Sequence, residues 1–552
     1  MQMHTMSVMT LLDSVKARHA NQSPTDGSGA APPSLTVRET SWSPAVWGLL
    51  VVLCGALFLD GLDVSMVGVA LPSIGKDLHL AAGSLQWIVS GYVLGYGGLL
   101  LLGGRAADLL GRRPVFLTAV GVFGAASVVS ALVSDPGTLI ALRFVKGAAA
   151  AFTVPAGLSI ITTTFVEGPA RSRALSIYTV CGASGFSLGL VFGGLLTELG
   201  WRATFLLPGP VAIALLIAGF RVIPRVPRPR LRLSHLDLGG ALTSTVGLLA
   251  LVYGVVEAPT RGWTSAPTIG LFLAFVALMT AFVLIERRHP RPLLRLGILR
   301  SRSLVHANLS AAVMFGGYVS FQFVVTLYLQ DSLGWSPLTM ALGFLPAGLI
   351  VVASATRMGS LLERIDTTVL IALGLAALMG GYLLFLRVVP GQPYVDFLLP
   401  TMILLGLGFA LCFPSVNSQG TAGVADHEQG LASGLVNTSI QIGGAVTLAV
   451  ITAIIGSNAS SGTQRGQLLP GMTTAIAVVA GVSVLGLVVT VVRLLSRRAS
   501  PTEAVSAVET QSAEADQPAP GVILSISPAQ VRTVDVEVLA PRLDERIPCE
   551  VC

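Results

Sequence analysis

The chain has 552 residues, of which 53% are hydrophobic and only 11% charged, and a net charge of +6. Soluble domains carry about 25% charged residues, so this composition excludes a soluble enzyme or binding module and implies an integral membrane protein. The positive charge follows from a loop bias and gives no reason to expect nucleic acid as a partner.

Residues 1–45 are polar and linker-like, with Asn21 to Gly29 and Pro32–Pro33, and are expected to be a disordered cytoplasmic segment without a cleaved signal peptide. Apolar stretches of roughly bilayer-spanning length follow at about 46–71, 84–104, 114–134, 138–160, 174–197, 203–223, 236–256, 267–285, 305–329, 338–357, 367–387, 396–416, 431–455 and 472–494. They predict an all-α membrane protein of about fourteen transmembrane helices. Residues 496–552 are rich in Pro, Ser, Glu and Ala and read as a disordered tail, with one alternating stretch from Val531 to Leu539.

Orientation follows from the short loops. If the amino terminus lies inside, the cytoplasmic loops collect Arg112, Arg113, Arg171, Arg173, the runs Arg221 to Arg232 and Arg287 to Arg302, then Arg357 and Arg364. The opposite loops hold single cations, Lys76, Arg202, Arg261, Arg387 and Arg465. About two dozen cations on one side against about five on the other predict that both termini are cytoplasmic.

Charges inside the spans carry the functional signal, because an ionisable side chain at bilayer depth is costly. Asp60 and Asp63 are three apart in the first span, and Arg143 and Lys146 three apart in the fourth. Residues so spaced share one helix face. In antiparallel helices the two steps run the same way, by roughly 4.5 Å each. This predicts two stacked ion pairs, Asp63 with Arg143 and Asp60 with Lys146. They either glue the two helices or tie proton occupancy to conformation.

Cys54, Cys181 and Cys412 fall inside spans, and Cys549 and Cys552 close the tail. No disulfide framework is expected. No metal-ligand cluster, H-E-x-x-H pair or nucleotide-binding loop is present in the sequence, so neither an enzyme nor ATP use is expected.

The loop after the second span reads Gly104-Arg-Ala-Ala107-Asp108-Leu-Leu-Gly111-Arg112-Arg113. It resembles the loop signature of the major facilitator superfamily, with a weaker echo eight spans later at Gly359 to Arg364. The segment Leu62 to Pro72 resembles the first-helix signature of the fourteen-helix drug:proton antiporters. Gln86-Trp87, Arg143 to Gly147 with Pro155, Gly200-Trp201-Arg202 with Pro210, Tyr328 to Gln330, and Gly430 to Gly444 also match that subfamily.

Three positions depart from the subfamily's pattern. Lys146 stands where glutamine is usual, and Asp60 where an acid is not. In the fifth span Gly185, Gly189, Gly193 and Gly194 match the antiporter motif, but Leu190 replaces its proline. The glycines keep a small-xxx-small ridge for close helix packing, whereas a proline would have removed a backbone donor and bent the helix.

The resemblance implies two six-helix bundles, 46–224 and 304–495, with two helices inserted between them at 225–303. It implies alternating access around a midplane site, and a conformational latch formed by Gly104, Asp108, Gly111, Arg112 and Arg113. Asp63, Arg143, Asp60 and Lys146 become proton-coupling candidates. Gln86, Asn437 and Gln441 are cavity candidates, although buried amides equally serve as interhelical hydrogen bonds. Trp87 and Gln330 have interfacial readings, and His289, His306 and His427 are assigned no coupling role.

The function implied is export of a hydrophobic drug, antibiotic or secondary metabolite in exchange for protons. No cofactor is expected beyond the proton gradient, and the only partners are a small-molecule substrate and the lipid bilayer, around a monomer. The embedded cations leave open an alternative, transport of a polar or anionic metabolite. A receptor or sensor on the same fold is the reading from another class. Lysine occurs only at Lys16, Lys76 and Lys146 beside abundant Arg, Ala and Gly, which points to a GC-rich bacterium and its plasma membrane.

Overall fold

The structure is a computed structural model that describes residues 42–80, 82–166, 169–225, 237–289, 296–424, 429–457 and 466–498. Most of the amino-terminal segment, most of the basic run from Arg221 to Arg232, His427, Arg465, and the tail with Val531 to Leu539, Cys549 and Cys552 lie outside the described residues. The chain divides into two units, Met1–Leu494 and Leu495–Cys552. The first holds the helices that matter for function; of the second, only the end of the last helix is described.

Among the described residues thirteen helices are long and apolar enough to cross a membrane. A further helix, Ala82–Leu110, has 29 residues and covers the second of the expected stretches. In chain order the helices are α1 (Pro44–Asp77), α2 (Ala82–Leu110), α3 (Arg112–Leu132), α4 (Pro136–Thr164) and α5 (Pro169–Leu199). Next come α6 (Arg202–Val222), built of two helical stretches that meet at Leu207, then α7 (Leu238–Arg261) and α8 (Ala266–Arg288). The last six are α9 (Arg302–Leu327), α10 (Pro337–Arg364), α11 (Thr367–Phe385), α12 (Tyr394–Thr421), α13 (Gln429–Ser457) and α14 (Met472–Arg498). A five-residue π turn, Tyr328–Ser332, extends α9. Several helices outrun the apolar stretches that predict them, since polar turns at the membrane boundary continue the helix.

Short polar residues start these helices by accepting from first-turn amides. Asp135 accepts from the Thr138 amide at 2.7 Å, Asp237 from Gly240 at 2.7 Å, and Ser336 from Thr339 at 3.2 Å. The Thr138 hydroxyl and amide together hold the Asp135 carboxyl below its ordinary pKa. Gly111 separates α2 from α3 at φ 95°, a left-handed conformation that a side chain would strain.

The packing repeats with an offset of eight helices. α1 packs on α5 as α9 packs on α13; α2 packs on α4 as α10 packs on α12; α3 packs on α4 as α11 packs on α12. Two further contacts, α2 with α13 and α5 with α10, exchange under the same offset and join the first six helices to the last six. The inserted pair α7 and α8 pack on each other, and α7 also rests on α2 and α13.

Small residues set the closest approaches, as expected where lipid supplies no hydrophobic drive. A Cβ at Gly189 would collide with Ser65 Oγ and lie 2.6 Å from the Leu62 carbonyl oxygen; one at Gly193 would lie 2.8 Å from Met66 Cα. Gly185 meets the Phe58 backbone in the same way. The predicted ridge on α5 is therefore the seat of α1. Gly194 faces the other way, where a Cβ would lie 2.6 Å from Ala341 Cβ and 2.9 Å from Leu338 Cα of α10.

The two faces of α5 separate two consequences of adding bulk. Gly189→Val should destabilise the protein by about 1–3 kcal/mol through overpacking inside one bundle. Gly194→Val should leave the melting temperature nearly unchanged and raise the labelling of an introduced Leu327→Cys thiol, a position 4% exposed between α1 and α9, because it props two bundles apart. Thermal unfolding in detergent and impermeant maleimide labelling check the pair, and equal loss of melting temperature in both variants would contradict the assignment.

Candidate functional site

Inside the first bundle, Asp63 of α1 meets both cations of α4. Arg143 Nη1 donates to Asp63 Oδ2 at 2.5 Å, and Lys146 Nζ donates to Asp63 Oδ1. The three side chains are at most 1% exposed. Arg143 also donates from Nε to the Ile88 carbonyl of α2 at 2.9 Å and lies 4.5 Å over the Tyr92 ring. Lys146 is held between Phe123 of α3 at 4.8 Å and Phe205 of α6 at 5.5 Å. Each cation thus combines a charge-assisted hydrogen bond to Asp63 with contact to aromatic faces.

The approach of α2 to α4 makes this clamp possible. A Cβ at Gly147 would run into the Tyr92 carbonyl, and one at Gly95 would overlap the Phe144 carbonyl and lie 2.8 Å from the Ala148 amide nitrogen. The glycines bring Arg143 close enough to reach a backbone oxygen on α2.

The predicted Asp63–Arg143 pair is present. The predicted Asp60–Lys146 pair is not: Lys146 bends toward Asp63, and Asp60 accepts from the Tyr92 hydroxyl instead. Backbone spacing fixes only the heights of the Cα atoms, and a lysine stem is long enough to reach a carboxylate one turn away. Asp60 is half-buried, unlike the clamp, and Tyr96 and Tyr178 lie within its electrostatic reach. Tyr92 therefore touches both parts, its ring under Arg143 and its hydroxyl on Asp60.

The cavity candidates do not form one pocket. Gln441 of α13 packs its Cβ 3.0 Å from the position a side chain would take at Gly97 of α2. Gln86 lies eleven residues earlier on α2, roughly 16 Å along the helix axis. Gln86 is 2% exposed with no acceptor for its Nε2 among the described residues, and Asn437 donates to the Ser433 carbonyl of its own helix at 3.0 Å. Trp87 packs against Tyr253 of α7 with ring centroids 5.4 Å apart, which ties the inserted pair to α2.

Between the bundles the structure places an aromatic wall that the sequence did not single out. Phe186 of α5 stacks on Phe409 of α12 at 6.5 Å and 14°, Tyr318 of α9 lies 4.9 Å from Phe409, and Phe413 stacks on Phe409 at 5.2 Å and 9°. Aromatic residues inside apolar spans carry no pattern that separates a wall from core.

The bundles are joined where α1 ends. Lys76 pairs with Asp331 at 3.1 Å, Gln330 in the π turn donates to the Val69 carbonyl at 2.9 Å, and Glu198 accepts from the Leu338 amide at 3.4 Å. On the opposite side, Arg113 donates to the Phe220 carbonyl at 2.8 Å and so anchors the signature loop to α6. The Asp108 side chain lies outside the described residues. Leu190 is 2% exposed and continues α5 without a break. His306 is buried and lies 3.3 Å from Gln419 of α12 and 3.1 Å from Thr490 of α14.

The family model of the major facilitator superfamily matches residues 53–448. The chain belongs to this superfamily. It is 38% identical to the puromycin resistance protein of Streptomyces alboniger over 84% of its length and 94% of that protein. It is 37% identical to a cephamycin export protein of Amycolatopsis lactamdurans over 76% and 87%, and 31% identical to a probable actinorhodin transporter of Streptomyces coelicolor over 80% and 77%. Among solved structures, the POT family transporter PepTSo superposes with a TM-score of 0.62 at 14% identity, over 83% of this chain and 99% of that one. The fold is thus the major facilitator fold of a multi-pass membrane protein, and the family is one of transporters.

The clamp yields a stability prediction. Asp63→Asn leaves two buried cations facing each other and should cost about 3–5 kcal/mol. Lys146→Gln leaves Asp63 paired with Arg143 and should cost clearly less, and adding it to Asp63→Asn should recover part of the loss. Thermal unfolding of the three purified variants checks the order; a neutral Asp63→Asn would show that the clamp does not hold the bundle.

Proposed function

We propose that this protein exports hydrophobic antibiotic-like compounds across a bacterial plasma membrane in exchange for protons, with both termini in the cytoplasm and without enzymatic chemistry. The relatives' names supply the compound class, and the loop cations supply the orientation. The carrying observation is the division of labour between the acids: Asp63 is clamped by two cations, while Asp60 is half-buried and held by Tyr92.

Charge counting shows what that division can do. With Asp60 ionised, the four groups sum to zero; with Asp60 protonated, they carry +1 in a low-dielectric interior. Proton occupancy of Asp60 changes the local charge beside Tyr92, which supports the Arg143 guanidinium. Asp60 becomes the exchangeable proton site, Asp63 the fixed counter-charge, and Tyr92 the positioning residue between them. Alternating access then swaps the closed end at Lys76–Asp331 for closure at the signature loop, where Asp108 and Arg112 act as the latch.

The anionic-solute alternative loses its support in this geometry. Arg143 and Lys146 are both engaged by Asp63 and buried, so neither faces a solute. The aromatic wall of Phe186, Tyr318 and Phe409 suits an apolar, ring-bearing compound. A receptor role would move no solute.

Two experiments test the proposal. Cells producing the protein should accumulate less puromycin, or another hydrophobic antibiotic in a panel, and an uncoupler should erase the difference; no change in accumulation for any compound would sink it. In proteoliposomes, Asp60→Asn should abolish substrate-driven proton movement while the folded protein and its melting temperature persist. Tyr92→Phe should lower the coupling ratio of protons to substrate without stopping transport. Wild-type coupling in Asp60→Asn would return the proton site to Asp63.

A further inference from the structure

We propose that the α9–α14 surface carries a site for the phosphate headgroup and one acyl chain of an anionic phospholipid. A cavity of about 300 Å³ opens there, formed by the 3₁₀ turn Leu296–Arg300, the first turns of α9 and the last turns of α14. Its charged wall is Arg300, Arg302 and Arg493, and among the described residues no acid lines it. Its apolar wall is Leu299, Val305 and Leu309, which are 41%, 49% and 46% exposed.

The placement argues for lipid over a soluble anion. α9 begins at Arg302, so the cations stand at the boundary of the membrane, while Val305 and Leu309 lie one and two turns deeper on the same helix. A molecule that fills both walls must carry a negative head at the interface and a hydrocarbon chain below it. A basic pocket between transmembrane helices is the setting in which acidic lipid headgroups are recognised.

The site is built into the bundle. Arg493 donates to the Arg302 carbonyl, which joins the end of α14 to the start of α9. His306, 5% exposed, forms part of the lining and contacts Gln419 and Thr490. The arginine cluster therefore stands on a network that also reaches Thr368 of α11 through Gln419 Nε2 at 3.3 Å. Four helices of the second bundle meet under it.

The test uses the full chain purified in neutral detergent, titrated with dioleoyl phosphatidylglycerol or dioleoyl phosphatidylcholine and read by native mass spectrometry. Phosphatidylglycerol should bind in preference, and the Arg300→Gln/Arg302→Gln variant, which keeps Arg493 in its structural contact, should weaken that binding by roughly thirty-fold. Leu309→Trp should weaken both lipids by filling the apolar wall. Inorganic phosphate at millimolar concentration should not compete. Equal binding of the two lipids, an unaffected double variant, or competition by phosphate at the affinity of the lipid would each overturn the proposal, the last by showing a soluble-anion site.

Discussion

The clamp of Asp63 between Arg143 and Lys146 is the constraint on which the first bundle depends. An isolated carboxylate or cation at this depth would be expelled or neutralised, and a pair broken by losing one partner is worse than no pair. The three groups must therefore arrive together. Their meeting requires α2 and α4 to approach within a side chain's reach beside α1, and the bare faces of Gly95 and Gly147 permit that approach of α2 to α4. It also requires walls for the lysine, which Phe123 and Phe205 supply from α3 and α6. One acid thus recruits residues from five helices, and the glycine seam is as necessary to the charge cluster as the charges are.

The clamp also determines what is left for function. Because both cations turn to Asp63, Asp60 takes the Tyr92 hydroxyl as its hydrogen-bond partner and is less completely buried than the clamp. The extra acid and the extra base that distinguish this chain from the subfamily's usual pattern do not neutralise each other. Lys146 strengthens the fixed charge, and Asp60 adds a separate group one turn away. Tyr92 links the two because its ring and its hydroxyl point to different partners, which an apolar residue at that position could not reproduce.

Much of this was legible in the sequence, for reasons that differ by residue. The spans follow from length and apolarity alone, and the ridge Gly185, Gly189, Gly193 follows from a spacing that has one packing consequence. Asp63 with Arg143 follows from height in antiparallel helices. The partner of Lys146 does not follow from spacing, which places a Cα and not the end of a flexible side chain. Gln86 and Gln441 share polarity, yet the length of the α2 axis separates them. The aromatic wall and the burial of His306 depend on helix rotation and on partners far away in the chain, information that no local window contains.

The difference in burial between the two kinds of ion pair decides which of them can open during transport. Lys76 and Asp331 close one end of the bundle interface with side chains 68% and 30% exposed. Such a pair contributes about 0–1 kcal/mol, so thermal fluctuation and a bound solute suffice to part it. Gln330 and Glu198 add single hydrogen bonds to backbone groups, each worth about 1 kcal/mol net. The Asp63 clamp, by contrast, loses several kcal/mol when one partner is removed. Motion between bundles can therefore proceed by exchanging weak exposed contacts while the strong buried cluster moves as a unit with its helices, and the proton need act only on Asp60 at its edge.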